Sequence, residues 1–237
     1  MRRADFITVP SEFLQRVFHR FGLASSVLPN LAETELFPFL ERKRFQPRLF
    51  VSRNLEPMYG LECVLQAFRI IQGQLPGATL GIAGEGSEEG KLRNLVREWN
   101  LQGVRFYGAV PHAQLPTLYR EHDIYVNASR VDNFPGVLIE AACAGLAIVT
   151  TRAGGIPEMI RDRENGLLVD VGDYGALANR VLEVLQNPGF ACELTRRARS
   201  WAEQFSWNHV FPQLLNCYGF AQLCGNLDAP SEEVLAR

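Results

Sequence analysis

From residue 48 onward, short apolar runs alternate with stretches whose apolar positions recur at helical spacing. RLFVS (48–52), ATLGIAG (78–84), VRFYG (104–108), DIYVNAS (123–129), AIVTT (147–151) and GLLVD (166–170) read as strands. LECVLQAFRIIQGQL, SEEGKLRNLVREWNL, PHAQLPTLYREH and GVLIEAACAG read as the helices between them, and DYGALANRVLEVLQ as the helix after the last strand. Strands apolar on both faces, alternating with amphipathic helices, predict a parallel sheet covered on each side. With right-handed crossovers, the fold class is α/β: a doubly wound, Rossmann-like parallel sheet over about residues 48–186. Ligand-binding loops are expected at the strand ends.

The ends are less regular. Residues 4–22 predict one more strand–helix unit, with Ser11 as the N-cap. LPNLAETELFPFLERKRFQP carries three prolines and a charge run, and residues 31–47 read as a linker. A charged helix is expected around 190–204, a final one within 205–225, and a polar tail over 226–237.

Composition narrows the class. The chain is 47% apolar and 21% charged, with a formal net charge of −2. That balance gives no reason to expect a nucleic-acid partner. The five cysteines (Cys63, Cys143, Cys192, Cys217 and Cys224) are scattered and form no CxxC, so they read as small buried thiols in a reducing cytosol. The start has two arginines but no apolar stretch long enough for a signal peptide. No run approaches the ~18 apolar residues of a membrane span. A cytoplasmic location is expected.

The candidate chemistry sits in DNFPGVLIE (132–140). Asp132 falls in the loop at the carboxyl end of a strand. Phe134 precedes proline and is biased to extended backbone. Pro135 suits the first helical turn, and Gly136 lets a ligand approach closely. Free N–H groups at this helix start make an anion site suited to phosphate. Glu140 lies about one turn in, and its side chain leans back toward the helix tip. A carboxylate there can accept hydrogen bonds from a vicinal diol such as a ribose, with Asp132 taking hydroxyls on the other side of the phosphates. Taken singly, Asp132 also fits a capping residue and Glu140 a solvated position. Glu140 is flanked by apolar residues, however, where an unpaired charge is costly.

Several motifs in order resemble the retaining GT-B glycosyltransferases, glycosyltransferase family 4 or group 1. These are FVSRNLEPMYGLECVLQAF, LGIAGEG, VRFYGAVPHAQLPTLYREHDIYVNAS, DNFPGVLIEAACAGLAIVTTRAGGIPEMI and FSW at 205–207. The resemblance runs from about residue 6 to residue 218. It implies that residues 1–30 end a preceding N-terminal domain and that 48–204 are the C-terminal, donor-binding half of a GT-B fold. It implies a nucleotide-diphosphate sugar as substrate, a UDP- or GDP-sugar above all, with no cofactor and no metal. Glu140 would bind the donor ribose, and Asp132, where the family usually has Glu, would face the transferred sugar. The backbone of Phe134, Pro135, Gly136 and Val137, with Asn133, would hold sugar hydroxyls and diphosphate. Gly84, Glu85, Gly86 and Val110 would shape the base pocket, and Arg53 would stabilise the leaving diphosphate.

Two departures bear on activity. The family loop after the first strand usually ends Lys-Gly, and this sequence has Tyr59-Gly60. Tyrosine donates a neutral hydrogen bond, about half as strong as a charge-assisted one. Loss of such a donor typically costs ~3 kcal/mol in the transition state. The chain is also about half as long as enzymes of this fold, so the acceptor-binding half has no counterpart. A separate N-terminal polypeptide would then supply it. Phe211, Leu214, Leu215 and Tyr218 of the last helix would form an exposed apolar patch or pack on the domain's own sheet. The alternatives are a non-catalytic or truncated nucleotide-sugar binder and, more weakly, an NAD(P)-dependent oxidoreductase suggested by GEGSEEG. That glycine run follows the second strand rather than the first, and VRFYG lacks the expected acidic residue. His19, His112, His122 and His209 read as surface or packing residues, and Ser129 as a loop serine.

Overall fold

The computed structural model describes residues 6–219. The polar tail, Cys224 and the last residues expected in the final helix lie outside them. The chain first lays down β1 (Thr8–Val9), α1 (Glu12–Arg20) and β2 (Ser26–Val27), and the two strands pair in parallel. Ser11 is the N-cap expected: its side chain accepts a hydrogen bond from Leu14 N at 3.2 Å.

Six further strands follow: β3 (Arg48–Ser52), β4 (Thr79–Ala83), β5 (Val104–Gly108), β6 (Ile124–Asn127), β7 (Ala147–Thr151) and β8 (Leu167–Val169). They form one parallel sheet in the order β5–β4–β3–β6–β7–β8. The order confirms a doubly wound α/β fold. The winding direction reverses between β3 and β6, and such a switch opens a crevice at the carboxyl ends.

Alternation of side chains sorts the core into two layers. Leu49, Val51, Ile124, Val126, Ala147 and Val149 join one apolar cluster beneath α2 (Leu61–Gln74), α3 (Glu89–Glu98) and α7 (Tyr174–Gln186). Phe50, Tyr125 and Ile148 join the other, beneath α4 (Leu115–Glu121), α5 (Gly136–Ala144) and the far part of α8 (Pro188–Ala202). Every residue of β6 and β7 is buried, as the continuous apolar runs required. Between β7 and β8 lies a short helix, α6 (Ile156–Met159), that the hydropathy pattern did not announce.

Segment 31–47, expected as a linker, is bound tightly to the sheet. Phe37 and Phe45 are buried. The Arg42 side chain is only 4% exposed. Its Nε donates to Asp123 Oδ1 at 3.0 Å, and its other nitrogens donate to carbonyls of Leu40, Tyr119, His122, Ala144 and Gly145. Charge and hydrogen-bonding capacity are thereby satisfied together, as burial of an arginine demands.

In the last helix, α9 (Trp207–Cys217), Phe211, Leu214 and Leu215 are half-buried. Val210, Phe211 and Leu214 border a hollow shared with Thr8, Val9 and the 28–31 segment, so the helix flanks the N-terminal unit. Tyr218 is 71% exposed. Among the described residues no helix is long and apolar enough to cross a membrane.

Candidate functional site

The candidate residues gather at the carboxyl ends of the strands. Arg53 follows β3, Gly84, Glu85 and Gly86 follow β4, Val110 lies beyond β5, and 129–135 connect β6 to α5. Val110, Phe134 and Val137 rest against the same apolar cluster. Pro135 is the N-cap of α5 rather than its first helical residue, with extended backbone (φ −71°, ψ 102°), and no side chain caps this helix. At Gly136 no atom lies within 4 Å of where a Cβ would stand.

Arg53 and Asp132 meet each other. Their side chains, 11% and 12% exposed, form an ion pair through Arg53 Nη2 and Asp132 Oδ2. Ser129, fully buried, accepts from Arg53 Nη2 at 3.3 Å, and its hydroxyl lies 2.9 Å from Asn127 Oδ1 and 3.2 Å from Asp132 Oδ2. Tyr59 contributes its ring face: the Arg53 guanidinium carbon lies 4.1 Å from the ring centroid. A cation over an aromatic face is held electrostatically, so Tyr59 fixes the arginine where a lysine would have added a second charge. Arg53 Nε is buried without a hydrogen-bond partner.

Glu140 is held differently. Its side chain is 16% exposed. Oε2 accepts from the Tyr119 hydroxyl at 2.8 Å, and Oε1 faces His112 Nε2 at 3.2 Å. Burial first, and then the charge of Glu140, push the Tyr119 phenol well above its ordinary pKa, so it remains a donor. Tyr119 and His112 were missed from sequence. The one signal was Tyr119 on the apolar side of PHAQLPTLYREH, since a buried tyrosine hydroxyl needs a partner. His112 was read as a surface or packing histidine; it lies half-exposed beside Glu140. His122 does pack, stacked 4.8 Å from Phe50.

The glycine motifs owe their place to chain crossings. A Cβ on Gly84 would come 2.0 Å from the Arg53 carbonyl oxygen, and one on Gly86 2.5 Å from that of Leu55. The turn expected to shape a base pocket thus also lets the Arg53 loop pass. Gly154 (φ +52°) and Gly155 do the same for the carboxylate loop: a Cβ on either would come within 2.1 Å of the Asp132 or Asn133 carbonyl oxygen. Asn133 Oδ1 accepts from Ser11 Oγ. Glu158 accepts from Phe13 N at 2.9 Å and pairs with Arg16, so α1 is tied to this loop region. Glu85, Arg130 and Arg152 are exposed. Arg152 turns to Asp162 and Asp170. Among the described residues no three His, Cys, Asp or Glu side chains are grouped as metal ligands would be.

The family model described as Glycosyl transferases group 1 matches residues 33–202. The chain belongs to this family. It is 33% identical over 195 residues to glycogen synthase of Mycobacterium tuberculosis (strain ATCC 25618 / H37Rv), covering 80% of this chain and 47% of that protein. It is 28% identical over 208 residues to O-antigen chain mannosyltransferase B of Escherichia coli, covering 84% and 53% respectively. This group 1 chain therefore spans about half the length of the curated relatives it matches. Among solved structures, Anabaena Alr3699/HepE in complex with UDP and glucose superposes with a TM-score of 0.83 at 20% identity, covering 92% of this chain and 64% of that one. Sucrose-phosphate synthase from Thermosynechococcus elongatus gives a TM-score of 0.81 at 25% identity, with 94% and 59% covered. The sheet is of the GT-B type. The group 1 match begins ahead of β3 and takes in the Arg42 segment that the structure binds to the sheet.

Proposed function

We propose that this chain is the donor-binding half of a retaining transferase and takes a nucleoside diphosphate sugar in the crevice between β3 and β6. The observation that carries the reading is the meeting, at one crevice, of an uncapped helix start, an arginine and two carboxylates of different surroundings. The diphosphate lies on the first N–H groups of α5, with the positive end of the helix dipole behind them. Asn133, Phe134, Pro135, Gly136 and Val137 line this seat. Glu140 takes the ribose hydroxyls, and the base rests toward Gly84, Glu85, Gly86 and Val110. Arg53, steadied by Tyr59, faces the charge that develops on the leaving diphosphate. Asp132 exchanges part of its bond to Arg53 for a hydroxyl of the transferred sugar. The resemblance of the motifs implies transfer with retention and without a metal. HepE holds UDP in its solved structure, in keeping with a nucleoside diphosphate donor.

The test is a thermal-shift panel of UDP-, GDP- and ADP-sugars, with NAD(P) as control, on wild type and Glu140→Ala. A ligand at about 100 times its Kd adds about 2.7 kcal/mol of stability. A shift with one nucleotide sugar that vanishes in Glu140→Ala is the expected result. A shift with NAD(P) alone, or one untouched by Glu140→Ala, refutes the assignment.

A second reading, a nucleotide-sugar binder that does not catalyse, is favoured by the Arg53–Asp132 pair, which already neutralises the arginine. Slow release of free sugar from bound donor, followed by NMR, separates the two: transfer to water is expected only of the transferase. An acceptor-binding half belongs to the same proposal. Parallel sheets are ordinarily wider than two strands and covered on both faces. The β1–β2 pair, beside exposed Phe6 and Phe21, therefore reads as the edge of a wider sheet whose other strands carry the acceptor.

A further inference from the structure

Three buried hydroxyls form a chain that ends on Glu140. Tyr119 donates to Glu140 Oε2 at 2.8 Å, Ser52 Oγ lies 2.7 Å from the Tyr119 hydroxyl, and Tyr125 OH lies 3.1 Å from Ser52 Oγ. Tyr119, Tyr125 and Ser52 are all buried. Each hydroxyl has one proton to give, and an ionised carboxylate only accepts. Tyr119 therefore spends its proton on Glu140 and Ser52 donates to Tyr119, while Tyr125 OH has both Ser52 Oγ and, at 3.3 Å, the Ser52 carbonyl within reach of its own proton. The Ser52 and Tyr119 dipoles point the same way, and such aligned chains strengthen one another. Packing alone does not call for the arrangement: Phe37 and Phe50 meet the Tyr119 ring edge-on at 5.2 and 5.0 Å, which a phenylalanine would satisfy equally.

We infer that Tyr119 is a positioning residue for Glu140, aimed by Ser52 and Tyr125, and that it sets the preference of the site for a ligand carrying a vicinal diol. A carboxylate offers about four lone-pair directions. Tyr119 occupies one on Oε2 and His112 faces one on Oε1. One direction remains on each oxygen, enough for the carboxylate to accept from both the 2′ and 3′ hydroxyls of a ribose. Without Tyr119 only His112 holds the Glu140 carboxylate, and the paired acceptors are presented together less often. The inference rests on the nucleotide-site reading above and names the group that makes that site selective.

The experiment is titration calorimetry of the chain with UDP and GDP and with their 2′,3′-dideoxy counterparts. Wild type is expected to favour the ribonucleotide. Tyr119→Phe should reduce that preference about tenfold, the scale of one hydrogen bond to a charged group, and leave affinity for the dideoxy form within about twofold. Ser52→Ala keeps the Tyr119 ring in place and should reduce the preference in the same direction, about threefold. If Tyr119→Phe does not fold, Ser52→Ala decides by itself. Unchanged preference in the folded variants overturns the role of Tyr119 and leaves the nucleotide site standing. A wild type that binds neither nucleotide, or does not distinguish ribose from dideoxyribose, overturns the nucleotide-site reading and this inference together.

Discussion

The two carboxylates of the DNFPGVLIE stretch lie one loop apart and are stabilised in opposite ways. Asp132 faces a full positive charge, Arg53, and the two are buried to the same degree. Glu140 faces a neutral hydroxyl and one nitrogen of a half-exposed imidazole. A pair of opposite charges withdrawn from water satisfies itself. A carboxylate held by a hydroxyl keeps its charge unspent and can still attract donors from a ligand. One crevice thus has a closed end and an open end, and the difference predicts which substitutions harm the fold and which harm binding.

The largest effect should come from breaking the closed end. Arg53→Ala leaves Asp132 buried without its cation and should cost about 3 kcal/mol of stability in urea unfolding. Glu140→Ala leaves Tyr119 its Ser52 partner and should cost under about 1 kcal/mol. Equal losses would erase the distinction. Next, Tyr59→Lys restores a cation at the closed end. The preference for UDP over UMP, measured by calorimetry, should rise by about tenfold, the value of a charge-assisted bond. No rise would mean that Asp132 captures the new charge as well. Glu158→Ala should touch the fold alone. It removes an exposed ion pair with Arg16 and an acceptor for Phe13 N. About 1 kcal/mol of stability should be lost, with faster amide exchange at the start of α1. The nucleotide-induced thermal shift should stay as in wild type.

Much of the architecture was legible because it is written locally. A two-face burial pattern makes β6 and β7 continuous apolar runs, and Ser11 announces the start of α1 by its own side chain. The apolar flanks of Glu140 correctly marked it as other than a solvated position. What escaped was the set of contacts made across the sheet. Arg53 and Asp132 come together only because β3 and β6 are neighbours at the switch of winding. Tyr119, Ser52 and Tyr125 meet because α4 crosses above those two strands. No local spacing encodes such meetings, and the same is true of α1 fastened to Asn133 and Glu158. Gly154 and Gly155 were read as part of a motif; only the crossing chain shows that the absence of a Cβ is what they supply.

Arg42 has a consequence for how the chain can be cut. A fragment beginning at Arg48 would retain every strand of the large sheet and every candidate residue. It would also strip the carbonyls of Tyr119, His122, Ala144 and Gly145 of the guanidinium that gathers them, and leave Asp123 with Arg48 as its one remaining cation. The smallest piece expected to keep these contacts therefore starts ahead of Arg42, not at β3. Libraries of truncations scored by solubility should show a step there, well outside the crevice itself.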